Sequence, residues 1–309
     1  MIAIVASPKD LHARRVAQEL ESLGHRPRFI DTREFGQGAL IHYPIMGDPE
    51  ITPAEAIPIG MRDVRTVWYR RPHHGRIASG VHDPDDRHFC RQEWATTIDG
   101  LMLNLNARFV NPVLAEFAAV KPHQLLVAAQ AGMRIPDTLI TNDPVRIDAF
   151  LDKHARQVIH KALTAPTNRL LDTRKWSEVD RTALVDLPLA PTMFQEQIFG
   201  PADVRTTVVG DKVFSARIAT AAGRAGIDSR MDLDAPYEPH VLPDDVRRTL
   251  LDTMARLGLV YGTVDLKITH EDEYVFLEVN PQGQFLYVEI LTALPITRAL
   301  ALFLARDSG

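Results

Sequence analysis

The apolar positions at the start of the chain change from one period to another. Residues 2–6 form a short apolar run, and Val16, Leu20 and Leu23 then recur at helical spacing before Gly24. A second strand-like stretch covers residues 28–31. Strand, helix and strand in this order predict a parallel α/β start. Further strands are predicted around Ile41 and Ile57 and over residues 65–69, with a long helix over residues 86–103.

The pattern changes after Asn111-Pro112, so we predict an N-terminal α/β domain over residues 1–118. Helices over residues 121–133 and 143–154 then alternate with strands over residues 135–140, 158–161 and 193–198. These shorter elements predict a small central α+β domain over residues 119–195.

Two hairpins dominate the last third of the chain. In the first, residues 206–209 and 212–216 flank Gly210-Asp211, which suits a type II′ turn. In the second, residues 263–269 and 274–280 flank a polar loop over residues 270–273. With amphipathic helices over residues 244–257 and 296–304, they predict a C-terminal antiparallel-sheet domain over residues 196–309.

The charge, the apolar runs and the cysteine content of the chain argue against several classes of function. The 309 residues carry 35 Lys and Arg against 40 Asp and Glu, a net charge of −5, which argues against a nucleic-acid-binding surface. The longest apolar run, residues 299–305, is too short to cross a bilayer, so we expect no membrane partner. A single cysteine, Cys90, and an N-terminus unlike a signal peptide predict a cytoplasmic location.

The common glycine-loop, serine hydrolase and zinc protease motifs are absent from the sequence. A histidine-rich stretch lacks the paired ligand spacings of a structural zinc site, so scattered surface histidines are the better interpretation. Cys90, on an apolar helix face, is predicted to be a core residue. The members of that stretch are His73, His74, His82, His88 and Cys90.

The second hairpin carries the clearest candidate chemistry. If Thr269 faces Tyr274, Asp265 falls opposite Glu278, and Asn280 shares their face of the sheet because side chains alternate along a strand. The other face would be filled by Val264, Leu266, Val275, Leu277 and Val279. Two facing carboxylates repel unless a cation stands beside them, and oxygen ligands favour Mg²⁺. The alternative is an exposed polar strand face.

Other charged and polar residues follow a characteristic order along the chain. Lys121 begins a helix, Lys161 ends a strand, and several polar residues follow the strand near residue 195. Each of them alone is more often a solvated charge than a ligand. The set consists of Lys121, Lys161, Gln195, Glu196, Gln197, Ile198, Asp203, Arg205, Arg217 and Arg230.

The order of these residues resembles the ATP-grasp superfamily from about Lys121 to the end of the chain. The resemblance implies an ATP-grasp fold with an N-terminal α/β pre-ATP-grasp domain, and ATP and Mg²⁺ as cofactors. It implies that Lys121 and Lys161 contact phosphates and that Asp203 contacts the ribose. It further implies that Arg205, Arg217 and Arg230 are catalytic. It assigns backbone contacts with adenine to Gln195, Glu196, Gln197 and Ile198, and the metal to Asp265, Glu278 and Asn280.

A narrower resemblance rests on three short motifs. Residues 67–72 (VWYRRP), 138–144 (TLITNDP) and 277–281 (LEVNP) are similar to those of the maturases of microviridin-type peptides, the graspetide enzymes. The resemblance implies an ADP-forming ligase that activates Asp or Glu side chains of a precursor peptide as acyl phosphates. Thr or Ser hydroxyls or Lys amines would then form ester or amide links. It implies a leader region on the precursor and is compatible with a homodimer.

Two departures from the family pattern stay open. The loop over residues 162–174 has no glycine, although many members fold a glycine-containing loop over the triphosphate. Thr164, Thr167, Asn168 and Arg169 are possible contacts there. Arg217 should point to the face opposite Arg205 unless a bulge redirects it. Two other functions also remain open: a ligase that adds amino acids to a protein or small molecule, and a non-catalytic ATP-binding protein that recognises peptides.

Overall fold

The computed structural model describes residues 1–54, 56–72, 75–164, 173–219 and 235–306. The strands in this part are β1 (Ile2–Val5), β2 (Arg28–Ile30), β3 (Leu40–His42), β4 (Glu50–Thr52), β5 (Ile59–Gly60), β6 (Thr66–Tyr69), β7 (Arg108–Val110), β8 (Thr138–Thr141), β9 (Val158–Lys161), β10 (Arg174–Lys175), β11 (Thr192–Glu196), β12 (Ala202–Val209), β13 (Lys212–Ala219), β14 (Tyr237–His240), β15 (Tyr261–Ile268) and β16 (Tyr274–Asn280). The α-helices are α1 (Leu11–Ser22), α2 (Pro84–Asn104), α3 (Val113–Ala118), α4 (Lys121–Ala131), α5 (Val145–Lys153), α6 (Asp244–Arg256), α7 (Leu286–Thr292) and α8 (Ile296–Ala305). Short 3₁₀ helices cover Thr32–Glu34, Met61–Asp63 and Glu178–Leu189.

The first sheet is parallel and has the strand order β2-β1-β6-β7. The side chain of Asp10 caps α1 by accepting a hydrogen bond from the Ala13 N–H at 2.9 Å. Val16 and Leu20 on α1 are fully buried, and Gly24 ends the turn after the helix with a φ of 86°. The predicted parallel α/β start is therefore confirmed. A small antiparallel sheet, β3-β4-β5, is inserted in the chain between β2 and β6.

The second sheet has the order β10-β9-β11-β8, and all its pairs are antiparallel. Helix α5 covers it with Ile147 and Leu151, which join Val158 and Phe194 in one apolar cluster. Strand β9 has the predicted bounds and ends at Lys161.

The third sheet is antiparallel throughout, with the order β14-β13-β12-β15-β16. One face packs on α4 and α6, where Leu125, Leu250 and Met254 share one buried cluster with Val204 and Leu266. Both predicted hairpins are present, and β12 and β13 extend further than predicted. Gly210 has a φ of 61° and Asp211 is not among the residues with positive φ, as a type II′ turn requires.

Helix α8, near the C-terminus, packs against elements from both the first and the last part of the chain. Its Leu300 lies in one buried cluster with Ile4 and Leu20 of the first layer and with Tyr261 and Phe285 of the last. The division into three domains stays a prediction, because this core is shared between the first and third segments. None of the helices in the described ranges is long and apolar enough to span a membrane.

The long helix α2 differs from its prediction in one respect. Ile98, Leu101 and Met102 are buried, but Phe89 is exposed and Cys90 is only half-buried. The first half of α2 therefore contributes little to the core, and the assignment of Cys90 to the core is wrong. The short helices α3 and α7 were not predicted, because six or seven residues are too few to establish a helical period.

Candidate active site

The hairpin β15/β16 places Asp265 directly opposite Glu278 and Thr263 opposite Asn280. The predicted pairing of Asp265 with Glu278 is present, but the residues next to the loop pair in a different register from the one predicted. Ile268, and not Thr269, faces Tyr274, and a β-bulge next to Asp265 inserts Leu277 as an extra residue in β16. The expected loop register is thus wrong by one residue, and the bulge restores the pair that carries the chemistry.

The bulge also changes the apolar face of the hairpin. Phe276 pairs with Leu266, and both are fully buried against the α4/α6 layer with Val264 and Val279. Val275 was expected on this face but pairs with Lys267. Leu277, also expected there, has no partner in the ladder. A period-2 pattern holds only where the ladder is regular, so sequence alternation misassigns these two residues.

A cation stands beside each of the two facing carboxylates. Arg205 on β12 lies opposite Asp265, and its Nη1 is 2.5 and 2.7 Å from the two carboxylate oxygens. Lys121, at the start of α4, has its Nζ 3.4 Å from Oε2 of Glu278. One turn further along α4, the amide oxygen of Gln124 accepts the N–H of Val279 at 3.0 Å, which fixes the edge strand beside Glu278. The structure thus brings a predicted phosphate-binding lysine and a predicted catalytic arginine next to two predicted metal ligands.

Asp203 lies on the same face of β12, two residues before Arg205. Its carboxylate is 2.7 Å from Nζ of Lys267, which lies directly opposite it on β15, and both side chains are largely buried. Lys267 was not predicted as a site residue. Its two-residue spacing from Asp265 was the available signal, because residues two apart share a face.

The predicted adenine segment spans the end of β11. Gln195 is buried and donates its Nε2 to Oγ1 of Thr138 at 2.9 Å. The backbone N–H groups of Glu196 and Gln197 donate to the carbonyls of Asp137 at 3.0 Å and Gln157 at 2.8 Å. Any backbone contact with a base would therefore use the N–H of Ile198 or a carbonyl of this segment.

The other predicted cations are Lys161, Arg217 and Arg230. Lys161 ends β9 opposite Met193 and is half-buried. Arg217 pairs with Val204 in a regular ladder, so it points to the face of the sheet opposite Arg205 and no bulge redirects it. Arg230 lies outside the described residues, as do Thr167, Asn168, Arg169, His73 and His74.

The donors present fit a hard divalent cation. Asp265, Glu278 and Asn280 offer two carboxylates and an amide oxygen on one face of the hairpin. Oδ1 of Asn280 accepts the N–H of Gln282 at 2.9 Å and keeps one lone pair. Within the described ranges no group of three or more His, Cys, Asp or Glu residues could hold a metal. The set proposed here reaches three side-chain oxygen donors by including the amide of Asn280.

Comparisons with known proteins cover the whole chain. No protein-family model and no curated protein matches the sequence. Among solved structures, the chain is similar to the macrocyclase MdnC of Microcystis aeruginosa MRC, bound with the precursor peptide MdnA. The identity is 26%, the match covers 99% of each chain, and the TM-score is 0.88. The macrocyclase MdnB of the same organism is 28% identical over 98% of each chain, with a TM-score of 0.83. A Chryseobacterium gregarium RiPP-associated ATP-grasp ligase, in complex with ADP and a leader and core peptide, is 24% identical. That match covers 99% of this chain and 96% of that one, with a TM-score of 0.87.

Proposed function

From the ATP-grasp ligase fold that the chain shares with these enzymes along its whole length, we propose that it is an ADP-forming macrocyclase of a ribosomally made peptide. The predicted α/β fold class and the resemblance to peptide-modifying ATP-grasp ligases are confirmed. The proposal rests on the similarity to a macrocyclase bound with its precursor peptide. The convergence of Lys121, Arg205, Asp265 and Glu278 supports it.

The proposed reaction joins two side chains of one peptide. A carboxylate oxygen of an Asp or Glu side chain attacks the γ-phosphorus of ATP, and ADP leaves. A Thr or Ser hydroxyl, or a Lys amine, then attacks the acyl carbon and expels phosphate. Each ester or amide link therefore converts one ATP to ADP and phosphate, and the peptide loses the elements of one water. Mg²⁺, when bound, neutralises charge on the transferring phosphoryl group.

The residues of the chain supply positioning and charge. We assign Asp265, Glu278 and Asn280 to the metal, and Lys121 and Lys161 to phosphate oxygens. Arg205 is only 4% exposed and is fixed by Asp265, so it presents a preorganised charge to the acyl phosphate. Such catalysis needs no nucleophilic side chain, in agreement with the absence of the hydrolase motifs.

The other roles implied by the resemblance remain proposals. Asp203 is proposed for the ribose, and its ion pair with Lys267 through Oδ1 leaves the second carboxylate oxygen to accept a hydroxyl. Gln195, Glu196, Gln197 and Ile198 are proposed to line the adenine site. Arg230 keeps its proposed catalytic role. Of Arg205 and Arg217, we propose that only Arg205 reaches phosphate, because Arg217 lies on the other face of the sheet. The precursor would carry a leader region, and a homodimer and a cytoplasmic location belong to the same proposal.

The test uses a short peptide rich in Thr, Ser or Lys and in Asp or Glu, encoded beside the gene. The protein, ATP, Mg²⁺ and this peptide are mixed, and the peptide mass is followed together with ADP release. Loss of one water for each ADP formed supports the proposal. A gain in mass would favour addition of free amino acids. ATP binding with no ADP release with every neighbouring peptide would favour the non-catalytic alternative.

A further inference from the structure

In the turn that follows the proposed metal ligand Asn280, each of four consecutive backbone carbonyls accepts a hydrogen bond from a side chain. We refer to Pro281, Gln282, Gly283 and Gln284 as the 281–284 turn. The Pro281 carbonyl accepts from Nδ2 of Asn111 at 3.2 Å. The Gln282 carbonyl accepts from Nη1 of Arg70, which also lies 3.3 Å from the carbonyl of Gly283. The Tyr261 hydroxyl donates to the Gly283 carbonyl at 3.0 Å, and Arg205 reaches the Gln284 carbonyl at 3.4 Å.

Two of these side chains come from the opposite end of the sequence. Arg70 and Asn111 directly follow β6 and β7, whose carboxyl ends lie at the same edge of the first sheet. In open parallel sheets this edge is where ligands usually bind. Here it holds a segment of the chain itself. Glu116 on α3 extends the contact, because its Oε2 accepts from Nε2 of Gln282 at 3.1 Å and its Oε1 accepts from Asn111 at 2.9 Å.

Burial of the Arg70 guanidinium beside the turn is energetically unfavourable, because its charge loses contact with water. It is 1% exposed, and its Nε and Nη2 have no hydrogen-bond partner among the described residues. The nearest carboxylate, Asp10, is 3.8 Å from Nη2. Burial of a charge with so little compensation is unfavourable, and burial lowers the pKa of Arg70. What Arg70 does achieve is the fixation of two consecutive carbonyls of the turn.

The turn itself has little freedom to adopt another conformation. A Cβ on Gly283 would lie 2.0 Å from Oγ1 of Thr263, the residue opposite Asn280, and 3.0 Å from the Asn280 carbonyl. The Gly283 N–H donates to that same carbonyl at 3.0 Å. The Gly283 N–H therefore ties the turn directly to the backbone of Asn280.

We propose that Arg70, together with Asn111 and Glu116, positions the metal ligand Asn280 through the 281–284 turn. The metal site is then complete only when the first domain is docked on the third sheet. This inference rests on the proposed function, because it takes Asn280 as a metal ligand. None of the three residues touches the reacting atoms, so they are positioning residues.

The experiment measures ADP binding by calorimetry in EDTA and across a Mg²⁺ series. Arg70→Lys keeps the charge but loses the guanidinium group whose Nη1 meets both carbonyls. Gln282→Ala removes only the side chain that meets Glu116. Arg108→Lys is the matched control. Arg108 also donates to backbone carbonyls across the molecule, those of Phe303 at 2.6 Å and Leu304 at 3.1 Å, but it holds α8 and not the turn. Thermal unfolding is recorded for each variant.

We expect metal-free ADP affinity to stay within about twofold of wild type in all three variants. The Mg²⁺ concentration for half-maximal enhancement should rise about tenfold or more in Arg70→Lys and Gln282→Ala, as for other residues that orient metal ligands. Arg108→Lys should lower the unfolding temperature without this rise. An unchanged Mg²⁺ midpoint in folded Arg70→Lys or Gln282→Ala, or an equal rise in Arg108→Lys, overturns the inference alone. Failure of the wild type to bind ADP, or binding that ignores Mg²⁺, overturns the proposed function as well.

Discussion

Asp265 and Glu278 are carboxylates that face each other across one strand pair, and each is held by a cation within 3.4 Å. Facing carboxylates alone would repel by an amount that depends on the local dielectric constant. Arg205 and Lys121 remove that repulsion and also bring positive charge to the place where phosphate oxygens are proposed to bind. The same four side chains therefore balance one another's charge and place two cations where an anion could bind.

Replacement of the proposed metal ligands should abolish turnover. We expect Glu278→Ala and Asn280→Ala each to lower kcat/KM for the peptide by about 100-fold or more, because each removes an oxygen ligand from the charged transition state. Peptide mass and ADP release are the measurements. Asp252→Asn, on the exposed surface of α6, is the control. Retained activity in Glu278→Ala would refute the metal assignment.

Arg205 and Arg217 allow the two faces of the third sheet to be compared. Arg205 lies on the face of Asp265, whereas Arg217 lies on the other face, opposite Glu238 in the neighbouring strand. Removal of a preorganised donor typically costs about 100- to 1000-fold in kcat. We expect a loss of this size for Arg205→Ala and less than about fivefold for Arg217→Ala. Equal losses in the two variants would show that substrate contacts both faces.

Glu116 should make stability depend on pH. Burial raises its pKa to about 7 from 4.5, so the folded protein keeps it protonated where the unfolded chain has ionised it. The stabilisation is complete below the unfolded pKa and is lost as the pH rises to about 7. Relative to Glu116→Gln, the free energy of unfolding of the wild type should therefore fall by about 2 kcal/mol between pH 5 and pH 8.

Urea unfolding of both proteins at several pH values measures this difference, and other titrating groups cancel in the comparison. Glu93→Gln, an exposed substitution on α2, is the control. A wild-type curve parallel to that of Glu116→Gln would mean that the Glu116 carboxylate stays ionised in the fold.

At the scale of elements, the tight turn between β12 and β13 requires glycine. Gly210 has a φ of 61°, and a Cβ there would lie 2.7 Å from a ring carbon of Phe303. Gly210→Ala should therefore cost about 1–3 kcal/mol of stability through strain and crowding. Gly80→Ala is the matched control, because nothing lies within 4 Å of its Cβ position and its φ is not positive. Thermal unfolding compares the two, and equal midpoints would contradict the turn assignment.

The hairpin β15/β16 shows what sequence periodicity can and cannot provide. Alternation along β15 correctly assigned Asp265 and Leu266 to opposite faces of the sheet, because that strand is regular. It assigned Val275 to the wrong face, because the bulge at Leu277 adds a residue that no alternation rule detects. Strand β9 and helices α4 and α6 were predicted within a few residues, since each is bounded by glycine, proline or a charged residue. The short strand β4 and the helices α3 and α7 were missed because they have too few residues to establish a period, whereas β5 lies within two residues of the strand predicted around Ile57.

The proximity of the three proposed metal ligands was predictable from local register. Asp265, Glu278 and Asn280 share one hairpin, so local register brings them together. Arg70 and the 281–284 turn are 212 residues apart, and Asn111 and Pro281 are 170 apart. Residues 67–72 were noted for their resemblance to a family motif, but the sequence contains no signal for the contact that Arg70 makes. Only the packing of the first sheet against the third brings these residues together.

At the scale of the whole molecule, α8 packs residues of the first and last segments into one core, so we expect the two segments to unfold as one cooperative unit. Leu300 is fully buried in the cluster that includes Trp68 of β6, whereas Leu302 on the same helix is 40% exposed. Leu300→Ala should cost about 2–5 kcal/mol, and Leu302→Ala less than about 1 kcal/mol. Urea unfolding followed by circular dichroism and by tryptophan fluorescence measures both effects. Because Trp68 shares the core with Leu300, the two signals should shift together in Leu300→Ala. A fluorescence midpoint that stays in place while the circular dichroism midpoint falls would show that the first sheet folds independently of α8. In that case the shared core around α8 would not be what holds the first domain, and with it Arg70 and Asn111, against the 281–284 turn.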